Sequence, residues 1–220
     1  MSGPGEGTPL ARRRGPDWDA RYAAAQGGLF GEAPNAWLVM CLARPELAPR
    51  HALSLAEGDG RNGTWLARQG LETTGVDLSA EATRRALARD AAAGVTAERI
   101  AADLFDWDPG ARRWDLVALI CLQGPPPLRR RGLSVAARAL APGGWLVLEG
   151  FGAPPPGAPV EGPGPSAPEL RWSVAESLGW LANEGLELHE AIEGRVRLDE
   201  GRLHQGVAWM TRLLLRRPPA

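Results

Sequence analysis

Gly58, Gly60 and Asp77 are the residues whose types and spacing bear most directly on chemistry. An apolar run over residues 52–56 ends in Gly58-Asp-Gly60, and a second run, ending at Val76, leads to Asp77. A carboxylate at a strand tip accepts hydrogen bonds from the two hydroxyls of a ribose, and glycines let a ligand approach the backbone closely. The elements that must position these residues are a strand, a glycine turn, a helix and a second strand. Together they point to a nucleoside-cofactor enzyme of the α/β class.

Two cofactors compete for the loop. Gly58-Asp-Gly-Arg-Asn-Gly63 reads as G-x-G-x-x-G, the dinucleotide pattern, with Gly63 packing helix on strand and Asp77 fourteen residues further on as the ribose acid. An NAD(P)-dependent oxidoreductase would also need a second mononucleotide half and, usually, a catalytic Tyr, Lys or His pair. The chain has one tyrosine, and all 25 basic residues are arginine. The absence of lysine excludes Schiff-base catalysis, pyridoxal phosphate attachment and a P-loop lysine. Asp103, after a third strand pattern, and Pro142-Gly-Gly144, before a fifth, point elsewhere.

Strand and helix patterns alternate along the chain. Strands are expected over 52–56, 72–76, 98–102, 115–122 and 145–149, with helices over 35–42, 61–68, 79–93 and 127–140. Ser79 is the expected N-cap of the third of these helices, Gly94 its end, and Pro127 the first residue of the fourth. Near-continuous apolar strands alternating with helices imply a parallel sheet covered on both faces. Residues 150–171 are dense in Pro and Gly, offer few backbone partners and read as a lid or loop. A helix over 173–183 and strands over 186–192 and 207–215 follow, with 193–206 as their connection.

In this order and spacing the motifs resemble those of class I S-adenosylmethionine (SAM)-dependent methyltransferases. The carrying segments are Trp18-Asp-Ala-Arg-Tyr22, Gly31-Glu-Ala-Pro-Asn35, Ser54-Leu-Ala-Glu-Gly-Asp-Gly-Arg-Asn62, Val76-Asp-Leu-Ser79, Ala102-Asp-Leu104, Trp114-Asp-Leu-Val117, Pro142-Gly-Gly144 and Glu200-Gly-Arg-Leu-His-Gln-Gly206. They are most similar to those of the small bacterial tellurite-resistance and thiopurine-type methyltransferases. The resemblance implies a seven-stranded Rossmann-like sheet, mostly parallel with an antiparallel last strand and helices on both faces. It implies methyl transfer from SAM to a small-molecule acceptor, such as a soft nucleophile. The cofactor-binding residues it implies are Glu57, Gly58, Gly60, Asn62, Asp77, Leu78, Asp103, Leu104 and Ile120. In the usual Asp-x-Gly-x-Gly-x-Gly motif this chain has Ser54 for the acid and Ala56 for the first glycine. Glu57 is then the candidate to neutralise the methionine ammonium. These departures keep a SAM-binding regulator without turnover open beside the oxidoreductase.

On the acceptor side the candidates are Arg21, Tyr22 and His204. Arg21 and Tyr22 lie on an N-terminal segment that covers the site in such enzymes. His204 lies in the turn between the last two strands, which opens at the carboxyl edge if the penultimate strand is parallel. Leu122 would wall the methyl group beside Ile120. Trp107 reads as an adenine contact or a hydrophobic lid, and nine tryptophans suggest a cramped apolar acceptor pocket.

The 220 residues fit a tail over 1–16 and one domain over 17–220. A formal net charge of −1 gives no electrostatic case for nucleic acid, and no apolar run is long enough to span a membrane. The tail has no apolar signal-peptide core. Cys41 and Cys121 read as buried free thiols of a cytoplasmic protein. No metal site is expected.

Overall fold

The computed structural model describes residues 16–201 and 203–220. The expectation of a disordered tail concerns residues that, apart from Pro16, lie outside those described.

Seven strands form one sheet in the order β3-β2-β1-β4-β5-β7-β6. The strands are β1 His51–Leu55, β2 Glu72–Asp77, β3 Glu98–Ala101, β4 Trp114–Ile120, β5 Leu140–Phe151, β6 Glu187–Asp199 and β7 Gln205–Arg216. β1 to β5 pair in parallel, and β7 runs antiparallel to both β5 and β6. β6 therefore shares the direction of β1, and β7 is the one reversed strand, as expected.

Alternate residues of the central strands feed two cores, which is why these strands read as unbroken apolar runs. Val117 and Leu119 of β4 face the core that holds Leu133 and Val135. Leu116, Ala118 and Ile120 face the core that holds Trp37, Leu38 and Leu66. The first is covered by α5 (Pro126–Ala139) and α6 (Val174–Leu181), the second by α2 (Ala36–Leu42) and α3 (Arg61–Arg68).

Capping chemistry sets the helix limits. Ser79 accepts a hydrogen bond from Ala82 N at 3.0 Å and opens α4 (Ala80–Ala93), which Gly94 ends in the left-handed conformation. Asn35 caps α2 by accepting from Leu38 N at 3.0 Å. Asp17 caps the short α1 (Trp18–Ala24).

Four expectations need correction. α5 begins at Pro126, not Pro127; Pro125, Pro126 and Pro127 all tolerate its first turn because none needs an amide partner there. Pro142-Gly-Gly144 does not precede β5 but bulges within it: Leu140 pairs with Trp114 and Trp145 with Leu116. Residues 193–206 are not a long connection. Most of them extend β6 and β7 into a hairpin whose turn lies at 200–204. The alternation of charge with Ile192, Val196 and Leu198 is a strand pattern that Gly194 masks. Finally, the 150–171 segment does not lack backbone partners. Arg171, 2% exposed, donates to the carbonyls of Pro165 (2.6 Å), Pro163 (3.2 Å) and Gly152 (3.2 Å). Gly150 and Phe151 belong to β5, and Pro168–Leu170 forms a 3-10 turn.

Two residues other than glycine adopt positive φ among those described. Ala56 (φ 50°) follows β1 and Cys121 (φ 58°) follows β4. Ala56 stands where the resembling family has glycine, and its backbone still makes the left-handed turn that glycine would make freely. That conformation costs a residue with a Cβ roughly 1–2 kcal/mol, against roughly 0.4–1 kcal/mol of extra chain entropy lost by glycine. Ala56→Gly is therefore expected to raise unfolding stability by about 1 kcal/mol in urea denaturation; a loss of stability would contradict this reading of the turn.

Candidate active site

A cavity of about 570 Å³ opens at the carboxyl ends of the parallel strands, within the roughly 300–1,000 Å³ of small-molecule sites. One side is built from the loop after β1 (Ala56, Gly58, Asp59, Asn62), the tip of β2 (Asp77, Leu78) and the residues after β3 (Asp103, Leu104). The other side carries Phe30, Leu128, Phe151, Leu170 and His204. Arg21, Tyr22, Ile120 and Leu122 also line it, so the cavity gathers every expected site residue except Gly60. Gly60 instead packs on α4, where a Cβ would meet that of Ala86 at 2.7 Å. Pro16, assigned to the tail from sequence, lines the cavity.

Asp77 is fixed by two amides. Its Oδ2 accepts from Gly58 N at 2.7 Å and its Oδ1 from Ser79 N at 2.8 Å. Burial pushes its carboxyl above the usual range, and these two hydrogen bonds pull the other way. Asp103 accepts from Phe105 N at 2.9 Å. Leu104 is buried, and its carbonyl accepts from Arg131 Nε at 2.6 Å. A Cβ on Gly58 would collide with the Tyr22 hydroxyl, so this glycine makes room for the aromatic cluster of Trp18, Tyr22 and Phe30. Burial drives the Tyr22 hydroxyl well above its ordinary pKa. Arg21 stacks on Trp18 at 4.6 Å.

Glu57 lines the cavity with a protein partner of its own. Its carboxylate pairs with Arg99, and both side chains are almost fully buried. Arg99 also donates to both carboxylate oxygens of Asp90 at 2.8 Å. A Cβ on Gly63 or on Gly75 would fall on the Glu57 carboxylate. Gly63 is thus glycine to make space for an ion pair, which removes it as the third glycine of a dinucleotide loop. The other loop carboxylate at the cavity is Asp59, which accepts from Leu29 N at 3.3 Å and pairs with Arg89 at 3.4 Å, both through Oδ2.

A second buried polar group closes the site. Glu200, at the hairpin turn, accepts from Asn35 Nδ2 (2.9 Å) and Ala36 N (3.1 Å) through Oε1 and pairs with Arg61 (2.8 Å) through Oε2. Asn35 Nδ2 also donates to Glu149 Oε1 at 2.6 Å, and Glu149 pairs with Arg212. Asn62 Oδ1 accepts from Asn35 N at 2.8 Å. Burial would raise Glu200, but Arg61 and the hydrogen bonds from Ala36 and Asn35 hold it below the usual carboxylate range. Of these residues the sequence reading assigned a role only to Asn62. An acid closing the apolar run Trp145-Leu-Val-Leu-Glu149 was the available signal.

His204 sits at the carboxyl edge as expected, 4% exposed, with its ring 4.8 Å from Phe30 and 5.2 Å from Phe151. Trp107 packs against Trp114 and lies outside the cavity lining. Of the nine tryptophans only Trp18 lines the cavity, so the apolar wall is made of Phe, Leu and Pro.

The strand order with one reversed strand places these residues on a defined scaffold, and residues 52–144 match a family model described as a methyltransferase domain. The fold is that of the class I SAM-dependent methyltransferases. Solved structures share the fold. An N-methyltransferase, NodS from Bradyrhizobium japonicum in complex with S-adenosyl-L-homocysteine, is 17% identical, with a TM-score of 0.66 over 91% of this chain and 96% of that one. TehB from Haemophilus influenzae is 14% identical, with a TM-score of 0.66 over 82% of this chain and 61% of TehB. A structure concerned with conversion of a disulfide bond into a thioacetal group during echinomycin biosynthesis is 21% identical, with a TM-score of 0.64 over 84% and 82%. No curated protein matches the chain in sequence. Among the described residues no helix is long and apolar enough to cross a membrane.

Burial, and then the nearby Arg61, lower the pKa of His204 from 6.5 to about 4. Between these values the unfolded chain binds more protons than the folded one, so stability falls as pH falls from about 6.5 towards 4. The expected loss is about 3 kcal/mol, at 1.36 kcal/mol per unit. Denaturation of wild type and His204→Gln across pH 7 to 4 should show the wild-type advantage shrinking by that order. A difference that does not change with pH would show that the imidazole titrates normally.

Proposed function

We propose that this protein is a methyltransferase that moves a methyl group from SAM to a small-molecule acceptor within the 570 Å³ cavity. The observation that carries the reading is the pairing of the Gly58 turn with Asp77 inside the segment that matches the methyltransferase family model. Bound SAM supplies an activated sulfonium methyl, open to in-line displacement. The protein residues then need to bind, orient and exclude water.

In this reading Asp77, held by the Gly58 and Ser79 amides, offers its remaining lone pairs to the ribose hydroxyls. Asp103 and the Leu104 amide face the adenine, with Leu78 and Ile120 as apolar walls. Asn62 orients the loop through Asn35. Glu57 turns to Arg99, and Asp59, whose Oδ2 meets Leu29 N and Arg89, takes the place opposite the methionine ammonium. Gly60 supports the turn from the side of α4. Residues 150–171 roof the acceptor side, where Gly164, Pro165 and Leu170 line the cavity, so this segment acts as a lid pinned by Arg171.

Arg21, Tyr22 and His204 then belong to the acceptor side. A buried imidazole next to Arg61 is a weak base, so we assign His204 to shaping the pocket with Phe30 and Phe151. The acceptor brings a nucleophile that needs little help with its proton, as a thiolate does. The neighbour concerned with a disulfide-to-thioacetal conversion is in keeping with a sulfur acceptor.

Calorimetry with SAM and with NADH tests the cofactor. SAM should bind and NADH should not. Asp77→Ala should weaken SAM by roughly 5- to 150-fold, the worth of a lost hydrogen-bonding carboxylate at about 1–3 kcal/mol. Unchanged SAM affinity in the variant, or binding of NADH alone, would overturn the assignment. Turnover over a panel of thiols, phenols and amines identifies the acceptor class.

A further inference from the structure

Among the described residues β6 ends the sheet, and one of its edges has no strand partner. The strand is 13 residues long, and among the described residues no backbone hydrogen bond outside the β6–β7 ladder reaches Glu187–Asp199. A long open edge is a template for another strand unless something blocks it. This edge contains no proline and is not uniformly charged. Its sequence around Gly194 runs Ile192-Glu-Gly-Arg-Val196.

We propose that this edge is a dimer interface, in which β6 pairs antiparallel with β6 of a second copy about a two-fold axis at Gly194. The register follows from the residues. With Gly194 opposite itself, Glu193 lies directly opposite the partner subunit's Arg195, and Arg195 opposite the partner subunit's Glu193. On the other face Ile192 lies opposite the partner subunit's Val196. The two-fold doubles each pair, so one axis yields two ion pairs and two apolar pairs in direct cross-strand contact.

Neighbouring registers fail. Because opposed residues must share a face, the register moves in steps that shift the axis by one residue. An axis at Glu193 sets Glu193 against Glu193, and an axis at Arg195 sets Arg195 against Arg195; like charges directly opposite are destabilising. Gly194 has open space where a Cβ would stand, so nothing crowds the axis.

The groups are available in the single chain. The Arg195 side chain is 65% exposed, and its ion pair with Glu161, at 3.3 Å, is equally exposed at 60%. A surface pair of this kind holds Arg195 weakly. Glu193 uses Oε1 for Val174 N (2.7 Å) and Thr211 Oγ1 (3.3 Å), and among the described residues Oε2 takes no hydrogen bond. No residue of Glu187–Asp199 lines the cavity, so the proposal does not rest on the cofactor or acceptor.

Sedimentation velocity on the full chain, with disulfide trapping, tests it. Wild type should sediment as a dimer at micromolar concentration. Arg195→Glu, which places four carboxylates around the axis, should shift it to monomer, and the swap Glu193→Arg with Arg195→Glu should restore the dimer. Gly194→Cys should cross-link under mild oxidation, because directly opposed residues lie about 4.5–5.5 Å apart at Cα, within disulfide reach. Ile192→Cys alone should not, and Ile192→Cys with Val196→Cys should. A wild-type monomer would overturn the proposal. So would a dimer that persists in Arg195→Glu and leaves Gly194→Cys uncrosslinked, since it would use another face.

Discussion

The burial of Glu200 is the constraint on which the site depends. A carboxylate with a side chain 7% exposed has lost its water and must find replacement partners. It finds them on segments far apart in sequence: Arg61 at the start of α3, and Asn35 and Ala36 at the start of α2. Asn35 shares its amide with Glu149, whose second oxygen meets Arg212. Two carboxylates and two guanidinium groups make the cluster neutral, and a bridging amide supplies the hydrogen bonds that a buried ion pair needs to offset its desolvation. Because Asn35 also caps α2 and donates to Asn62, the N-terminal strap, the glycine loop and the β6–β7 hairpin have one mutual arrangement. Their meeting is what gives the cavity its closed side.

The other half of the loop obeys the same logic. Glu57 and Arg99 are sealed beneath it, and Asp90 and Thr64 accept the remaining hydrogen bonds of Arg99. Gly63 and Gly75 are small because the carboxylate occupies their side-chain space. The loop above is therefore underpinned by charge, while Ala56 and Cys121 hold left-handed turns at the ends of two adjacent strands. Strain of this kind persists where the surroundings over-determine the backbone, and here it borders the cavity.

Much of this fold was legible because local signals agreed with the tertiary ones. α4 follows from Ser79 and Gly94, and α3 runs from Arg61 to Arg68 as the pattern indicates. The parallel strands announce themselves as apolar runs because both faces are buried. Legibility fails where a residue's role is set by a distant partner. Glu57 looks like a ligand residue until Arg99, 42 positions away, claims it. Arg171 looks like the end of a Pro- and Gly-rich loop with few partners until its three carbonyl partners fold around it. The outer half of β6 reads as a loop because an edge strand carries charge where a central one carries Val or Leu. The ligand side of the site was readable as a set of positions, since turn glycines and strand-tip acids are local. The knot that aligns them was not, since it joins residues up to 165 positions apart.

Amide hydrogen exchange on Glu200→Ala, with Glu200→Gln beside it, tests the claim that this carboxylate assembles the site. The account predicts faster exchange at Asn35 and Ala36 and in the turn around His204, while the amides of β1 and β4 keep their protection. The conservative glutamine, which retains an acceptor for Asn35 and Ala36, should lose less. Wild-type protection of Asn35 and Ala36 in the alanine variant would contradict the account, because those segments would then be held by something other than Glu200.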